Sequence, residues 1–475
     1  MAEHLSGRIS LLQFLRQSVR LHVQHLTGSL AASAASPVYV VGNPSADLDS
    51  IVSAIVYAYF ASGSNSTNGD ESHESIRRPH IPLINLPDVR GGAELRRLRP
   101  EFVTALSLAT ESRKETASLV DSTLSEHLIT VADFAAQIQD LKKKKRKQDI
   151  PTTFDATLVD WNALPLRSST AGEGALTGLE RVTFRIQGCI DHHVDEGFLP
   201  PQVLGRVEVG PGSCASLVVD ELRKRGMWGG NPKVSDDDDG GSEELCGPAK
   251  LALSAILIDT NNLTAEGRVM QVDRASVSFL QDQIQSRSRE DAAWDSKPLF
   301  QAVREAKASS LDLLTVEEIL DRDYKEWSAA GEEKEEVKIG FCAVVRPLHW
   351  VVGRAGTPAS LVEEMYSFAR QRGLDVLVLM TAFNTDEKNG GGEFRRELFL
   401  WAVTEHAVAK CESFANRAEH DLGLRQWDGE AGIRSTLNAE GQGQLGWRRV
   451  WMQTDVTKSR KQVAPLVRSV WHVAT

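Results

Sequence analysis

Cysteine is scarce in this chain of 475 residues: Cys189, Cys214, Cys246, Cys342 and Cys411 are far apart, odd in number and form no C-x-x-C pair. Such a set suggests a reducing compartment and argues against a zinc site built on thiolates. Long apolar runs are missing as well. No stretch of about 18 uninterrupted apolar residues occurs, so no membrane span is expected. An excess of positive charge is the third absence. The net charge of −11 disfavours a surface that adheres to nucleic acid without specificity, and any polyanion would have to be met by a local basic site.

What is present is ordinary globular composition, with 41% hydrophobic and 25% charged residues. The length predicts two domains of roughly 150 to 300 residues each. Apolar residues at helical spacing between Met1 and Leu30 (Leu11, Leu12, Leu15, Val19, Val23) predict a packed first helix, since Glu3 and the lack of an apolar core rule against a signal peptide. Val38–Gly42 reads as a short buried strand followed by a small-residue helix, Ser50–Ala61. Ala156–Asp160 and Gly188–Asp191 read as further strands of one parallel sheet, in which ligands bind beyond the carboxyl ends. Three segments read as surface insertions: 62–75, the basic run 142–147 and the Gly- and Asp-rich stretch 229–241. The basic run could serve as a nuclear signal or a tether for polyanions, against a plain solvated loop. After the helical stretch Gln271–Gln285 a compositional break falls at 304–312; beyond it Leu374–Met380 and Glu397–Trp401 read as paired strands and Gln462–Val473 as a last helix.

Chemistry concentrates in a few short motifs. Asp47 and Asp49 lie two apart just after the first strand, where both carboxylates could face cations, although surface turns use Asp freely. Asp191-His192-His193 closes another strand, and imidazole with carboxylate suits divalent transition ions. Asp160 and Asp259 are each expected at the end of a strand, after Thr157-Leu-Val and Ala255-Ile-Leu-Ile. Carboxylates gathered in this way need a compensating charge.

The order Asp47-x-Asp49, Asp160, Asp191-His-His193, Gly212-Ser-Cys-Ala-Ser216 resembles the successive motifs of the DHH phosphoesterase superfamily. Asp323-Tyr-Lys325 and Ser459-Arg-Lys-Gln462 resemble the DHHA2 domain shared by family II inorganic pyrophosphatases, prune-like proteins and fungal exopolyphosphatases. The runs Gly373–Met380, Leu257–Asn262 and Asp321–Trp327, together with Asn43 where the pyrophosphatases carry a His ligand, are similar to the fungal exopolyphosphatases. The resemblance implies an α/β protein: an N-terminal parallel-sheet DHH domain (1–303), a linker or hinge (304–312) and a smaller mixed α+β DHHA2 domain (313–475), with the active site in the interdomain cleft. It implies metal ligands at Asn43, Asp47, Asp49, Asp160 (bridging), His192 and Asp259. His193, Lys325, Arg460 and Lys461 are implied as catalytic and substrate-binding residues, with Ser213 as a further substrate contact. Two divalent ions, Mg²⁺, Mn²⁺ or Co²⁺, would activate a bound hydroxide that releases terminal orthophosphate from inorganic polyphosphate. The Asn43 amide should tilt the first metal position toward Mg²⁺. A prune-like phosphodiesterase, a family II-like pyrophosphatase and a scaffold without turnover are the competing readings. A cytoplasmic protein with no nucleic-acid or membrane partner is expected.

Overall fold

A computed structural model describes residues 9–31, 35–63, 78–110, 117–143, 151–229, 246–286, 294–312, 314–330, 336–385, 392–440 and 446–471. Most of the three expected insertions, the basic residues 144–147 included, lies outside the described residues. The chain divides into two compact units, Met1–Ser310 and Leu311–Thr475. Among the described residues no helix is long and apolar enough to cross a membrane.

The first unit runs α1 (Leu11–Leu26), β1 (Val38–Val41), α2 (Leu48–Gly63), β2 (His80–Leu83), α3 (Ala93–Leu98), α4 (Pro100–Ala109), α5 (Ala117–His127), α6 (Val131–Lys143), β3 (Thr153–Val159), β4 (Leu166–Arg167), β5 (Glu173–Ala175), β6 (Thr183–Asp191), β7 (Leu204–Val207), α7 (Cys214–Lys224), α8 (Cys246–Asp259), α9 (Gln271–Gln285) and α10 (Lys297–Ser309). The first helix contains all five residues of the apolar spacing, and Ser10 caps its start in a reciprocal box with Gln13. Strand order is β2-β1-β3-β6-β5-β4, with β7 pairing β6 at Gly188–Asp191, beyond the stretch that pairs β5. The pairs β1–β2, β1–β3, β3–β6 and β6–β7 are parallel, whereas β4 and β5 extend the sheet antiparallel, so the expected parallel sheet is mixed at that edge.

Alternation along β1 divides the core. Val40 joins the layer built from α2, α4, α7, α8 and α9, while Tyr39 and Val41 join the layer that contains Phe134, Phe154 and Phe184. A strand covered on both faces has no polar side, which explains the unbroken apolar run Val38–Val41. The parallel arrangement sets β1, β3 and β6 pointing the same way. Their carboxyl ends therefore deliver the 43–49 loop, Asp160 and Asp191 to one edge of the sheet.

Asp259 requires a correction: it closes the helix α8 and not a strand. The stretch Leu251–Leu257 is buried on every side, so it shows no 3.6-residue periodicity by which sequence would distinguish helix from strand. Residues 304–309 of the expected linker are likewise helical, as the last turns of α10.

The second unit runs α11 (Val316–Asp321), β8 (Tyr324–Ala330), β9 (Glu336–Val344), α12 (Leu348–Ala355), α13 (Pro358–Arg372), β10 (Val376–Asn384), β11 (Phe394–Ala402), a 3-10 turn (Glu405–Ala407), α14 (Val408–Asp421), β12 (Leu424–Gln426), α15 (Ala431–Leu437), β13 (Ala439–Glu440), β14 (Trp447–Gln453) and α16 (Arg460–Ser469). Its mixed sheet has the order β12-β14-β11-β10-β9-β8, with β13 on β14. The expected pair of strands is β10–β11, antiparallel over nine positions from Val376↔Ala402 to Asn384↔Phe394. Phe414, Val463 and Val467 of α14 and α16 pack on one face of this sheet, against Ile339, Val378 and Leu400.

Candidate metal centre

Asp160 sits one residue past β3, 2% exposed, with φ of +55°. Left-handed backbone is uncommon for a residue with a Cβ and marks a position the surroundings enforce. Its Oδ2 accepts the Asn43 side-chain N–H at 2.6 Å. Its Oδ1 is buried without a hydrogen-bond partner among the described residues and lies 3.1 Å from His192 Nε2. The other ring nitrogen of His192, Nδ1, is 2.9 Å from the Pro211 carbonyl oxygen. A carbonyl only accepts, so Nδ1 carries the proton and Nε2 presents its lone pair to Asp160. Two lone pairs face each other unless a proton or a cation lies between them.

His193 differs in role. Its Nδ1 lies 2.7 Å from Asp191 Oδ1, which also accepts the backbone N–H groups of His192 and His193. Asn162 donates to the other oxygen of Asp191 at 2.6 Å. Burial pushes the Asp191 carboxyl up, but the His193 and Asn162 hydrogen bonds and the two histidines hold it below the ordinary carboxylate value. An ionised Asp191 makes His193 Nδ1 a donor. Asp160, His192 and His193 place potential ligand atoms within 4.8 Å of one another, but that hydrogen bond withdraws His193 Nδ1 from the set.

Asp49 faces the start of α7. Its Oδ1 accepts from Ser213 Oγ (2.8 Å), the Ala215 N–H (2.8 Å) and Ser53 Oγ (3.3 Å), and its Oδ2 accepts the Cys214 N–H (2.6 Å). A carboxylate at a helix N-terminus is favoured by the unpaired N–H groups there, and Oδ2 keeps a lone pair for a cation. Asp47 caps α2, its Oδ1 accepting the Ser50 N–H at 3.0 Å. Asp259 has the opposite placement, at the C-terminus of α8, where the helix dipole repels a carboxylate. Burial raises the Asp160 carboxyl to about 7, with the negative charges of Asp49 and Asp47 adding to the shift and His192 opposing it. Burial raises Asp259 well above the ordinary value too, and Asp49 and Asp47 again contribute. The structure thus brings Asp47, Asp49, Asp160, Asp259 and His192 within electrostatic reach of one another, in an arrangement short of positive charge.

Two of the expected site residues make internal hydrogen bonds. The Asn43 amide oxygen accepts the N–H (2.9 Å) and hydroxyl (2.5 Å) of Ser45, and its nitrogen donates to Asp160. A backbone N–H can only donate, which fixes the amide orientation and commits the one atom able to bind metal. Asn43 thereby braces Asp160. Ser213, expected at the substrate, is fully buried and gives its hydroxyl to Asp49.

In the second unit, Arg460 at the first turn of α16 donates to the Asp323 carbonyl oxygen (2.6 Å) and carboxylate (2.7 Å). That clamp joins the two motifs Asp323–Lys325 and Ser459–Gln462, which are far apart in sequence. Ser459 caps α16 in a reciprocal box with Gln462. Lys325 is half-buried on β8 and Lys461 is exposed. Asn162 and Arg99 were not anticipated. Asn162 stands two residues after Asp160, a spacing that could have marked it; Arg99 carries no such signal.

Residues 301–470 match the family described as the DHHA2 domain. It is 27% identical over 456 residues, 95% of each chain, to the protein named "Putative exopolyphosphatase" of Schizosaccharomyces pombe. The structure of a "putative family II inorganic pyrophosphatase" of Methanococcus jannaschii covers 91% of this chain and 99% of its own at a TM-score of 0.49 and 17% identity.

Proposed function

We propose that the protein is a metal-dependent exopolyphosphatase that removes terminal orthophosphate from inorganic polyphosphate. The observation that carries the proposal is the facing pair Asp160 Oδ1 and His192 Nε2, set among Asp47, Asp49 and Asp259. The near full-length likeness to the Schizosaccharomyces pombe protein supports the substrate class.

Asp160, His192, Asp49, Asp47 and Asp259 are the residues that would hold divalent ions. Mg²⁺, Mn²⁺ or Co²⁺ bound there would acidify a water and neutralise charge on the reacting phosphate. The Asp191 carboxylate fixes the His193 ring through Nδ1, which leaves Nε2 to be turned toward a phosphate oxygen. The O–P bond forms from water, the terminal bridging P–O bond breaks, and a proton neutralises the departing oxygen. Lys325, Arg460 and Lys461 supply the cations that a condensed phosphate requires, and Arg460 is already held in place by Asp323. In this reading Ser213 and Asn43 act through Asp49 and Asp160.

Orthophosphate release from long-chain polyphosphate, pyrophosphate and a cyclic nucleotide, each with Mg²⁺, Mn²⁺ or Co²⁺, tests the proposal. Release from polyphosphate that stops with EDTA is expected. Turnover confined to pyrophosphate or the cyclic nucleotide would replace this substrate assignment.

A further inference from the structure

Arg99 stands where α3 gives way to α4, its backbone (φ −133°, ψ 54°) breaking the helix ahead of Pro100. Its side chain turns inward, and the residue is 4% exposed. The guanidinium Nε donates to the Ala46 carbonyl oxygen at 2.8 Å and Nη2 to the Ser45 carbonyl oxygen at 2.6 Å, while Nη1 donates to the Leu98 carbonyl oxygen at 2.9 Å. The two carbonyls it grips belong to the loop that delivers Asp47 and Asp49.

That loop is strained at the point of contact. Ala46 has φ of +42° and is buried, a conformation costly for a residue with a Cβ and maintained only by surrounding contacts. The same loop reaches the other carboxylate. Ser45 donates through its N–H and hydroxyl to the Asn43 amide oxygen, and the Asn43 nitrogen donates to Asp160 Oδ2. One fork therefore grips a chain of hydrogen bonds that ends on Asp160 and a backbone turn that ends on Asp47 and Asp49.

We propose that Arg99 is a positioning residue for the metal centre: its guanidinium holds Ser45 and Ala46 in the strained turn that aims Asp47, Asp49 and, through Asn43, Asp160 at one point. The inference rests on the metal-site reading above and is independent of the polyphosphate assignment. Planarity is essential to it. A lysine ammonium keeps the charge but cannot span two adjacent carbonyls from one rigid fork.

The test is Arg99→Lys in the full-length protein, with Mn²⁺ binding followed by calorimetry and electron paramagnetic resonance, and melting temperature recorded with and without metal. Loss of a partner that orients ligands costs about 10- to 100-fold in metal affinity, so Mn²⁺ should bind at least about tenfold more weakly. The metal-induced rise in melting temperature should shrink with it. A merely structural arginine would lower the metal-free melting temperature and leave Mn²⁺ affinity untouched, and that result overturns the proposal. If Arg99→Lys does not fold, Arg99→Gln, which keeps an amide donor, goes through the same titration. Failure of both to fold also overturns the proposal, because it assigns the guanidinium to the core. Wild-type protein that binds Mn²⁺ but leaves polyphosphate intact would sink the substrate assignment alone. Wild-type protein that binds no divalent ion would sink the metal site and this inference together.

Discussion

The acidic centre of the first unit and the basic cluster of the second are built in opposite ways. Asp160, Asp49 and His192 are buried, and each is braced by a backbone group or a buried side chain. Lys325 is half-buried, Lys461 is exposed, and Arg460 hangs on a carboxylate that is itself a third exposed. The difference fits the proposed roles. A divalent pair needs ligand atoms placed to a fraction of an ångström, and burial with hydrogen bonds supplies that precision. A polymeric phosphate presents its charge at varying positions, which an exposed lysine such as Lys461 can follow better than a buried ligand could.

The largest effect expected from breaking this contrast is at Asp160. Asp160→Asn keeps the shape and removes the shared charge, so kcat should fall by about 10³-fold or more, with melting temperature no longer raised by metal. Orthophosphate release at saturating Mg²⁺ decides it; near-native turnover would remove Asp160 from the chemistry. Arg460→Glu should act on the other side of the contrast, raising KM and lowering kcat together by about 10- to 100-fold in all, since charge-assisted contacts to the phosphate are lost. Mn²⁺ affinity should stay within twofold or so of wild type. If only long chains are affected, Arg460 belongs to a peripheral track instead.

A smaller effect comes from pH. The Asp160 carboxyl, raised to about 7 mainly by burial, holds its proton in the folded state well above the ordinary carboxylate value of 3.8. Metal-free protein is therefore favoured at low pH and loses that contribution as pH rises from about 4 through about 7. A divalent ion neutralises the carboxylates and removes the loss. The melting-temperature rise caused by Mg²⁺ should be greater at pH 8 than at pH 5.5, and an equal rise at both would contradict the burial argument. The smallest change is Asn43→His. It adds an imidazole beside Asp160 where no ligand atom is now available, and Mn²⁺ or Co²⁺ should gain over Mg²⁺ by about tenfold. Activity against metal concentration reads this directly.

Much of the acidic site was legible because Asp47, Asp49, Asp160 and His192 each follow an apolar strand, and parallel strands bring their carboxyl ends to one edge. Asp259 was expected after a strand and instead ends a helix, since a helix buried on all sides loses its period. Asn43 and Ser213 were assigned by position in a motif, which says nothing about the direction of an amide or the depth of a hydroxyl. Arg99 was invisible because its partners are backbone carbonyls, and those carry no side-chain signature. Lys325, Arg460 and Lys461 were legible only through family resemblance; the Arg460–Asp323 clamp bridges residues 137 apart in the chain.

The central claim is that the first unit holds divalent ions on Asp160 and His192. A crystal grown with Mn²⁺ and measured at the manganese absorption edge tests it most directly. Two anomalous peaks are expected, both within coordinating distance of Asp160 and one shared with His192 Nε2, with the Asn43 oxygen still facing Ser45. No peak beside Asp160, or a peak coordinated by the Asn43 oxygen, would contradict it.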